Sequence, residues 1–426
     1  MKKIVGIMAA AALATSAFAE INISSWNRQD VIPFNFVNDD GINSYGGTNW
    51  TKASENPMGK NGLSFSASSE NAGFALDLAY CNSGLDRGDN AYAWVKPVEM
   101  LKLSFGRIDY NKGKQAHCYG HYDHAWRFQG DNFKDLGDGL AIGGRAARGF
   151  VVELTPVEGL WIDASCDVQQ DDRAYKTFWS NASYGIGYDK EGLGSFRVVV
   201  FGKDGSATAT TQNKKFDDVS VTNLNGNNAG PYAVIAAAAD ITAVENLFMT
   251  FGVSVPTSFG KYGTLDLSDT SALKATQADT FRASAAASYK LDPVTFHAVL
   301  DTKFGILSAI EGSRTSVDFK YNGFGYAAGV GADVVLTDML TLITDVRFCN
   351  AEYVGATGTL TKENASDKEY KMGFNRGKFG GYIGLCQQLT NAKFDFGVEC
   401  GVNQTIVGAE TNDFTVAIPL QIQVEF

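Results

Sequence analysis

Residues 413–426, the last fourteen of the chain, read D-F-T-V-A-I-P-L-Q-I-Q-V-E-F. Every even position is apolar, from Phe414 to Phe426, and the odd positions are mostly small or polar. Strict alternation with a period of two predicts a β-strand that has one apolar face and one polar face. The stretch is longer than a usual globular strand of about 5–6 residues, and it is long enough for a tilted membrane crossing of about 9–11 residues.

The same alternation recurs along the chain. Residues 392–402 place Phe394, Phe396 and Val398 on one face and Lys393 and Asp395 on the other. Residues 160–168, 294–304 and 339–350 repeat the pattern. The strands of a soluble β-sandwich also alternate, but they are shorter and recur less often. The pattern therefore predicts an all-β fold with long antiparallel strands.

The start of the chain has the features of a secretory signal. Lys2 and Lys3 precede an apolar run over residues 4–13, and the sequence A-F-A ends at Ala19. A positive start, a short apolar run and an A-x-A site predict that residues 1–19 are a signal peptide. Cleavage there would leave 407 of the 426 residues. An exported chain can form disulfides, but the spacing of its six cysteines does not determine their pairing.

A terminal alternating strand that ends on Phe426 resembles the C-terminal strand of bacterial outer-membrane β-barrels, and the signal peptide agrees with this. The resemblance implies that residues 20–426 form an antiparallel up-and-down barrel in the outer membrane, of the general diffusion porin kind. It also implies that Phe426 is part of the signal read by the barrel assembly machinery. Many porins are trimers, so a homotrimer is one arrangement that the resemblance implies.

Turns and loops support this architecture and lead to a strand count. Eight short turns alternate with long polar loops, as they do in outer-membrane barrels, where the short turns face the periplasm. The predicted turns are residues 69–72, 96–99, 156–159, 190–193, 240–246, 290–293, 336–339 and 389–392, and the predicted loops include residues 111–139, 203–230, 256–279 and 352–375. Nine upward and nine downward segments predict eighteen strands, with sixteen as the alternative. Residues 29–60 alternate weakly and are interpreted as the first external loop. Residues 313–336 change phase at Asn322-Gly323, which we interpret as a β-bulge rather than a hairpin turn.

Composition and motifs exclude several functions. The net charge of −11, or −13 without Lys2 and Lys3, argues against nucleic-acid binding. No run after the signal reaches the 18 apolar residues of a membrane helix. The sequence contains no G-x-S-x-G, H-E-x-x-H or G-x-G-x-x-G motif. His297 and Asp301 share a strand face but would lie about 13 Å apart, at 3.3 Å per residue. We therefore expect neither enzymatic activity nor a cofactor.

The third external loop in this scheme, residues 111–139, is long and charged. In general porins the third loop folds into the barrel and narrows the pore, so the resemblance implies the same here. The loop charges that could line a constriction are Asp123, Arg127, Asp131, Lys134 and Asp135. Charges at inward positions of the barrel wall are Arg197, Arg282, Asp301, Lys303, Asp345 and Arg347. Opposite charges across a narrow lumen would orient dipolar solutes, whereas the simpler alternative is ordinary solvated lumen charge.

The same loop contains His117, His121 and His124, with Cys118 beside them. Imidazole and thiolate groups bind transition metals, but the spacing matches no known metal motif, so a hydrogen-bonded loop is the simpler hypothesis. A bridge between Cys81 and Cys118 is a further hypothesis. Too few aromatic residues, Trp161 and Phe248, face inward by phase to predict a sugar track.

The function that the resemblance implies is passive diffusion of small hydrophilic solutes or ions through a water-filled barrel, with outer-membrane lipid around it. The alternatives are an adhesin or structural barrel with an occluded lumen, and a channel specific for a sugar or lipid.

Overall fold

The structure is a computed structural model. It describes residues 21–37, 41–47, 59–81, 84–108, 114–116, 118, 149–167, 182–203, 211–216, 219–224, 232–257, 272–276, 281–307, 310–312, 315–349, 357–362, 378–402 and 414–426. The predicted signal peptide and most of residues 111–139 lie outside these ranges. Among the described residues, no helix is long and apolar enough to cross a membrane.

The described part of the chain contains 24 β-strands. In chain order they are β1 (Asn22–Val37), β2 (Gly41–Gly47), β3 (Gly59–Ser68), β4 (Ala72–Cys81), β5 (Gly84–Val98), β6 (Leu101–Arg107), β7 (Gly149–Val157), β8 (Leu160–Asp167), β9 (Ala182–Lys190), β10 (Gly194–Lys203), β11 (Thr211–Phe216), β12 (Val219–Leu224), β13 (Tyr232–Val244), β14 (Leu247–Pro256), β15 (Ala272–Thr276), β16 (Phe281–Leu291), β17 (Val294–Leu307), β18 (Ile310–Gly312), β19 (Thr315–Thr337), β20 (Leu340–Cys349), β21 (Thr357–Lys362), β22 (Lys378–Gln388), β23 (Ala392–Val402) and β24 (Phe414–Glu425).

Eighteen of these strands form a closed antiparallel barrel. Twenty-one strands make one sheet, and β2, β18 and β21 pair only with the long ends of β1 and β19, which leaves eighteen in the ring. The ring closes where β1 pairs with β24 on one side and with β3 on the other. The predicted all-β barrel of eighteen strands is therefore confirmed, and the alternative of sixteen is wrong.

The alternation of the sequence corresponds to the inside and outside of this barrel. On β24, Phe414, Ile418 and Ile422 are exposed, whereas Thr415 and Gln421 are almost completely buried. Successive side chains of a strand point to opposite faces, so the apolar face of β24 is the outer surface. The interior of the barrel therefore receives the polar face of β24.

Short turns join the barrel strands at one end, as the sequence predicted. All eight predicted turns are present, including residues 69–71, 191–193 and 389–391. Phe426 ends the chain at the same end, where its backbone pairs with that of Ser25 at 2.7 and 2.9 Å. In the two-residue turn of β13 and β14, Asn246 has a φ of 62°, a conformation that asparagine tolerates better than most residues.

Three expectations about loops and bulges need correction. Strand β1 continues to Val37 and folds back into β2, so the start of the supposed first loop is a hairpin. β19 is one strand, but its pairing with β17 has no register shift at Asn322 or Gly323, so the expected bulge is wrong. The apolar phase changes there because the partners change: residues 315–320 pair with β21 instead of β17. Strands β11, β12 and β15 form a separate small sheet within two predicted loops.

Candidate functional site

The candidate site is the inner wall of the barrel. Barrels of about sixteen to eighteen strands are wide enough for an interior that side chains do not fill. Inward positions of this barrel carry acids, bases, hydroxyls and amides, including Asp163, Arg197, Thr250, Asp345 and Gln421. A wall of this kind can contact water and polar solutes.

Arg197 on β10 is the centre of the first polar cluster. Its Nη2 donates to Oδ2 of Asp240 on β13 at 2.5 Å, and its Nη1 donates to Ser195 Oγ at 2.7 Å. Asp240 also accepts a hydrogen bond from Thr250 Oγ1 on β14 at 2.5 Å. Since Arg197 and Asp240 are both nearly buried, the ion pair compensates two charges that would be costly to bury alone.

The start of the predicted third loop contacts this cluster. The carbonyl oxygen of Lys114 accepts hydrogen bonds from Arg197 Nε at 2.9 Å and Nη2 at 2.5 Å. The backbone N–H of Ala116 donates to Asp240 Oδ1 at 3.1 Å. Gln115 between them is 1% exposed. Residues 114–116 therefore lie against inward side chains of β10 and β13.

The second polar cluster is a series of side-chain contacts that begins at Cys118. Its Sγ lies 3.1 Å from Ser288 Oγ, which lies 2.8 Å from His297 Nδ1, and His297 Nε2 lies 3.0 Å from Asp333 Oδ2. A carboxylate can only accept, so Nε2–H donates to Asp333 and the neutral ring can accept the Ser288 hydroxyl at Nδ1. The acid that His297 Nε2 contacts is Asp333, whereas sequence reasoning weighed Asp301. Asp333 is 36 residues from His297 and sits on the neighbouring strand, which is why the sequence did not reveal it.

Cys118 also packs on small apolar side chains of the same wall, Ala286, Val299 and Ala327. It is a thiol in this structure, so the hypothesis of a Cys81–Cys118 bridge is wrong. Cys386 is a buried thiol at an inward position of β22.

Asp345 and Arg347 form a pair on β20. They are two residues apart on the inward face, and Arg347 Nη2 donates to Asp345 Oδ2 at 2.8 Å. Both side chains are at least 97% buried, at 1% and 3% exposure. Gly329 on β19 and Gly380 on β22 are the register partners of Arg347, so neither neighbouring strand places a side chain directly opposite it. The two charges therefore compensate each other within the wall.

Arg282 differs from these pairs because its side chain is exposed. Lys303 lies directly opposite Arg282 in the backbone register of β16 and β17, and Asp301 lies opposite Ser284. The backbone register thus places Arg282, Asp301 and Lys303 at neighbouring positions of β16 and β17, whereas Arg197 and Arg347 lie on other strands.

The remaining candidates lie outside the described residues. They are the loop charges Asp123, Arg127, Asp131, Lys134 and Asp135 and the histidines His117, His121 and His124. Within the described ranges, no group of three His, Cys, Asp or Glu side chains could hold a metal ion.

Tryptophans form an inward feature that sequence reasoning underestimated. Trp161 is buried at an inward position, as predicted, and Trp94 and Trp26 lie on the inward faces of β5 and β1. A Cβ added at Gly73, Gly62 or Gly187 would collide with Trp94, Trp26 or Trp161, respectively. Each ring thus lies over a glycine of the next strand. A glycine opposite each tryptophan could have revealed this arrangement, but recognising that pairing requires the register of the strands.

No protein-family model matches the chain, and no curated protein matches it. Solved structures that resemble it are outer-membrane proteins, porins among them. Outer-membrane expressed OmpT of Vibrio cholerae is 10% identical, with 97% of this chain and 99% of that chain covered and a TM-score of 0.48. An anion-selective porin from Comamonas acidovorans is 10% identical, covering 96% and 100%, with a TM-score of 0.47. The outer membrane protein OpdK from Pseudomonas aeruginosa is 12% identical, covering 96% and 99%, with a TM-score of 0.46.

Proposed function

We propose that this protein is an outer-membrane porin through which small hydrophilic solutes or ions diffuse passively. The observation that carries the proposal is the closed ring of eighteen strands with apolar side chains outside and polar ones inside. Passive diffusion is driven by the solute gradient and requires neither a cofactor nor a catalytic group.

The outer surface supports a membrane location. Soluble proteins seldom expose apolar patches larger than a few hundred square ångströms. Here large apolar side chains are exposed on most barrel strands, among them Leu63, Phe105, Ile186, Phe251, Phe296, Val330, Ile383 and Ile422. Closed barrels satisfy every backbone hydrogen bond internally, which lipid requires. Strands such as β16 and β23, with 11 residues each, have the length of a tilted crossing.

We further propose that the end of β24 is the segment recognised by the assembly machinery. The Phe426 side chain is 72% exposed beside the turn end of the barrel, and its backbone is tied to Ser25. In this arrangement the short turns face the periplasm and the long loops face outward.

The third loop, residues 111–139, is proposed to enter the lumen and narrow it. Hydrogen bonds from Arg197 to Lys114 and from Ala116 to Asp240 support this, as does the contact of Cys118 with Ser288. On this proposal the loop charges Asp123 to Asp135 and the wall charges Arg282, Asp301 and Lys303 line the narrow part. Ions passing between them would meet both signs of charge.

Single-channel recording tests the main proposal. Purified mature protein in a planar bilayer should give discrete current steps of stable size, and a salt gradient should give a reversal potential whose sign reports ion preference. A barrel that is folded, by its shifted mobility before heating, but silent over long recordings would rule out the diffusion porin.

One observation favours a second candidate, a structural or adhesive barrel with an occluded lumen. Several inward side chains on β20 and β22 to β24 are almost completely covered, including Asp395 and Glu399 at 0% exposure. Silent recordings together with binding of whole cells to host surfaces would support that candidate. A homotrimer is proposed for either function, and chemical cross-linking of the folded protein would reveal it as a threefold mass.

A further inference from the structure

A pocket of about 680 Å³ lies inside the turn end of the barrel, where the first and last strands close the ring. It is lined by Ser24, Trp26, Gln388, Lys393, Gln423 and Glu425, among others. Small-molecule pockets usually measure about 300–1,000 Å³ and combine an aromatic surface with a few placed polar groups. The pocket is of this kind, and the proposed diffusion function does not use it.

Strand register builds the pocket wall. Trp26 on β1 lies opposite Glu425 on β24, and Gln423 lies opposite Lys393 on β23. The Trp26 ring covers Gly62, where a Cβ would collide with it, so the ring lies along the wall instead of filling the cavity. One side of the pocket is therefore an aromatic surface.

Two opposite charges reach this pocket, and each is held by a neighbour. The Lys393 ammonium lies 3.4 Å from Oδ2 of Asp395, a carboxylate that is completely buried deeper in the wall. The amide of Gln423 donates to Oε1 of Glu425 at the mouth. Lys393 is thus held toward the interior, while Glu425 is held at the rim. The backbone positions of Lys393 and Glu425 are diagonal neighbours about 7–8 Å apart, and each charged end contacts a different side chain, so a gap separates the two charges.

We propose that this pocket binds a small zwitterion, an amino acid or short peptide. The carboxylate of the ligand would accept from Lys393, and its ammonium would donate to Glu425. A charge-assisted hydrogen bond of about 2.8 Å at each end allows one such molecule to bridge the gap. Trp26 contacts the rest of the ligand and attracts its cationic end through the face of the ring.

Calorimetric titration of the refolded full-length barrel with glycylglycine tests this binding site. Lys393→Gln and Glu425→Gln should each weaken binding about tenfold, because each removes a hydrogen bond to a charged group. Lys290→Gln is the matched control. Lys290 forms an ion pair with Asp292, two residues further along, as Lys393 does with Asp395, but it lies at a different turn. That variant should bind like the wild type.

Ligand charge provides the second comparison. N-acetylglycinamide, which has the same backbone but no charges, should bind at least tenfold more weakly than glycylglycine. Equal binding of the two compounds, no binding of glycylglycine, or a Lys393→Gln variant that binds like the wild type would overturn the proposal. Glu425 lies in the terminal strand, so if its variant does not fold, Lys393→Gln decides. Calorimetry needs no ion current, so a silent barrel would refute the porin without affecting this result.

Discussion

At the scale of single residues, the inner wall compensates buried charge through immediate neighbours. Arg347 and Asp345 are almost completely buried and contact each other through three donor–acceptor pairs of 2.8 to 3.3 Å. Removing one partner of a buried ion pair leaves an uncompensated charge, which typically destabilises a protein by about 3–5 kcal/mol. We expect Arg347→Met to lower the free energy of unfolding by this amount in urea titrations of the lipid-embedded barrel.

Two comparisons separate this effect from a general loss of packing. Replacing both residues, Arg347→Met with Asp345→Asn, should be less harmful than the single change, because no buried charge remains. Lys290→Met breaks an exposed ion pair with Asp292 and should change stability by less than about 1 kcal/mol. A single Arg347 variant as stable as the wild type would contradict the burial of this pair.

At the same scale, sequence reasoning identified the residues but not their partners. Alternation placed Arg197, Asp345 and Arg347 on the inward face, because that requires only the period of the strand. The partner of Arg197 is Asp240, 43 residues away, and their contact depends on the order and register of β10 and β13. Local patterns contain no information on such pairings, so the predicted field between the loop charges and the wall stays a prediction.

At the scale of elements, alternation and turn residues predicted the barrel strands and all eight short turns. The strands outside the ring were not predicted, because β11, β12 and β21 are only six residues long and lie in polar segments. The bulge was predicted from a phase change that a change of partner strand explains. Phase reports which face of a strand is apolar, and it cannot tell a bulge from a new neighbour.

The position of residues 114–116 and Cys118 against the inner wall is an element-scale feature that a disulfide can test. Cys118 Sγ lies 3.1 Å from Ser288 Oγ, so Ser288→Cys should form a disulfide with Cys118 under mild oxidation. Peptide mapping by mass spectrometry would identify the bridge. Ser284→Cys is the control and should not bridge, because Ser284 lies four residues from Ser288 on the same face of β16, about 13 Å away at 3.3 Å per residue. Equal disulfide formation at positions 288 and 284 would mean that Cys118 is not held at one position on this wall.

At the scale of the whole molecule, closure explains how a chain with so many exposed apolar side chains avoids aggregation through its edges. Pairing of β1 with β24 leaves no free edge in the ring, and the apolar outer surface then requires a non-aqueous surrounding. This requirement follows from the described strands themselves.

If the outer surface lies in a bilayer, the depth of each outer residue in the bilayer sets the cost of a charge there. Ile383 lies in the middle of β22 and is 54% exposed, whereas Met339 lies in a short turn and is 55% exposed. Arginine on the lipid face of a barrel destabilises by about 2–4 kcal/mol at the bilayer midplane and by about 0–1 kcal/mol near the interface. Ile383→Arg should therefore lower the free energy of unfolding in lipid vesicles by about 1–4 kcal/mol more than Met339→Arg. In water an exposed arginine is well solvated at both sites, so equal effects would mean that the outer surface does not lie in a bilayer.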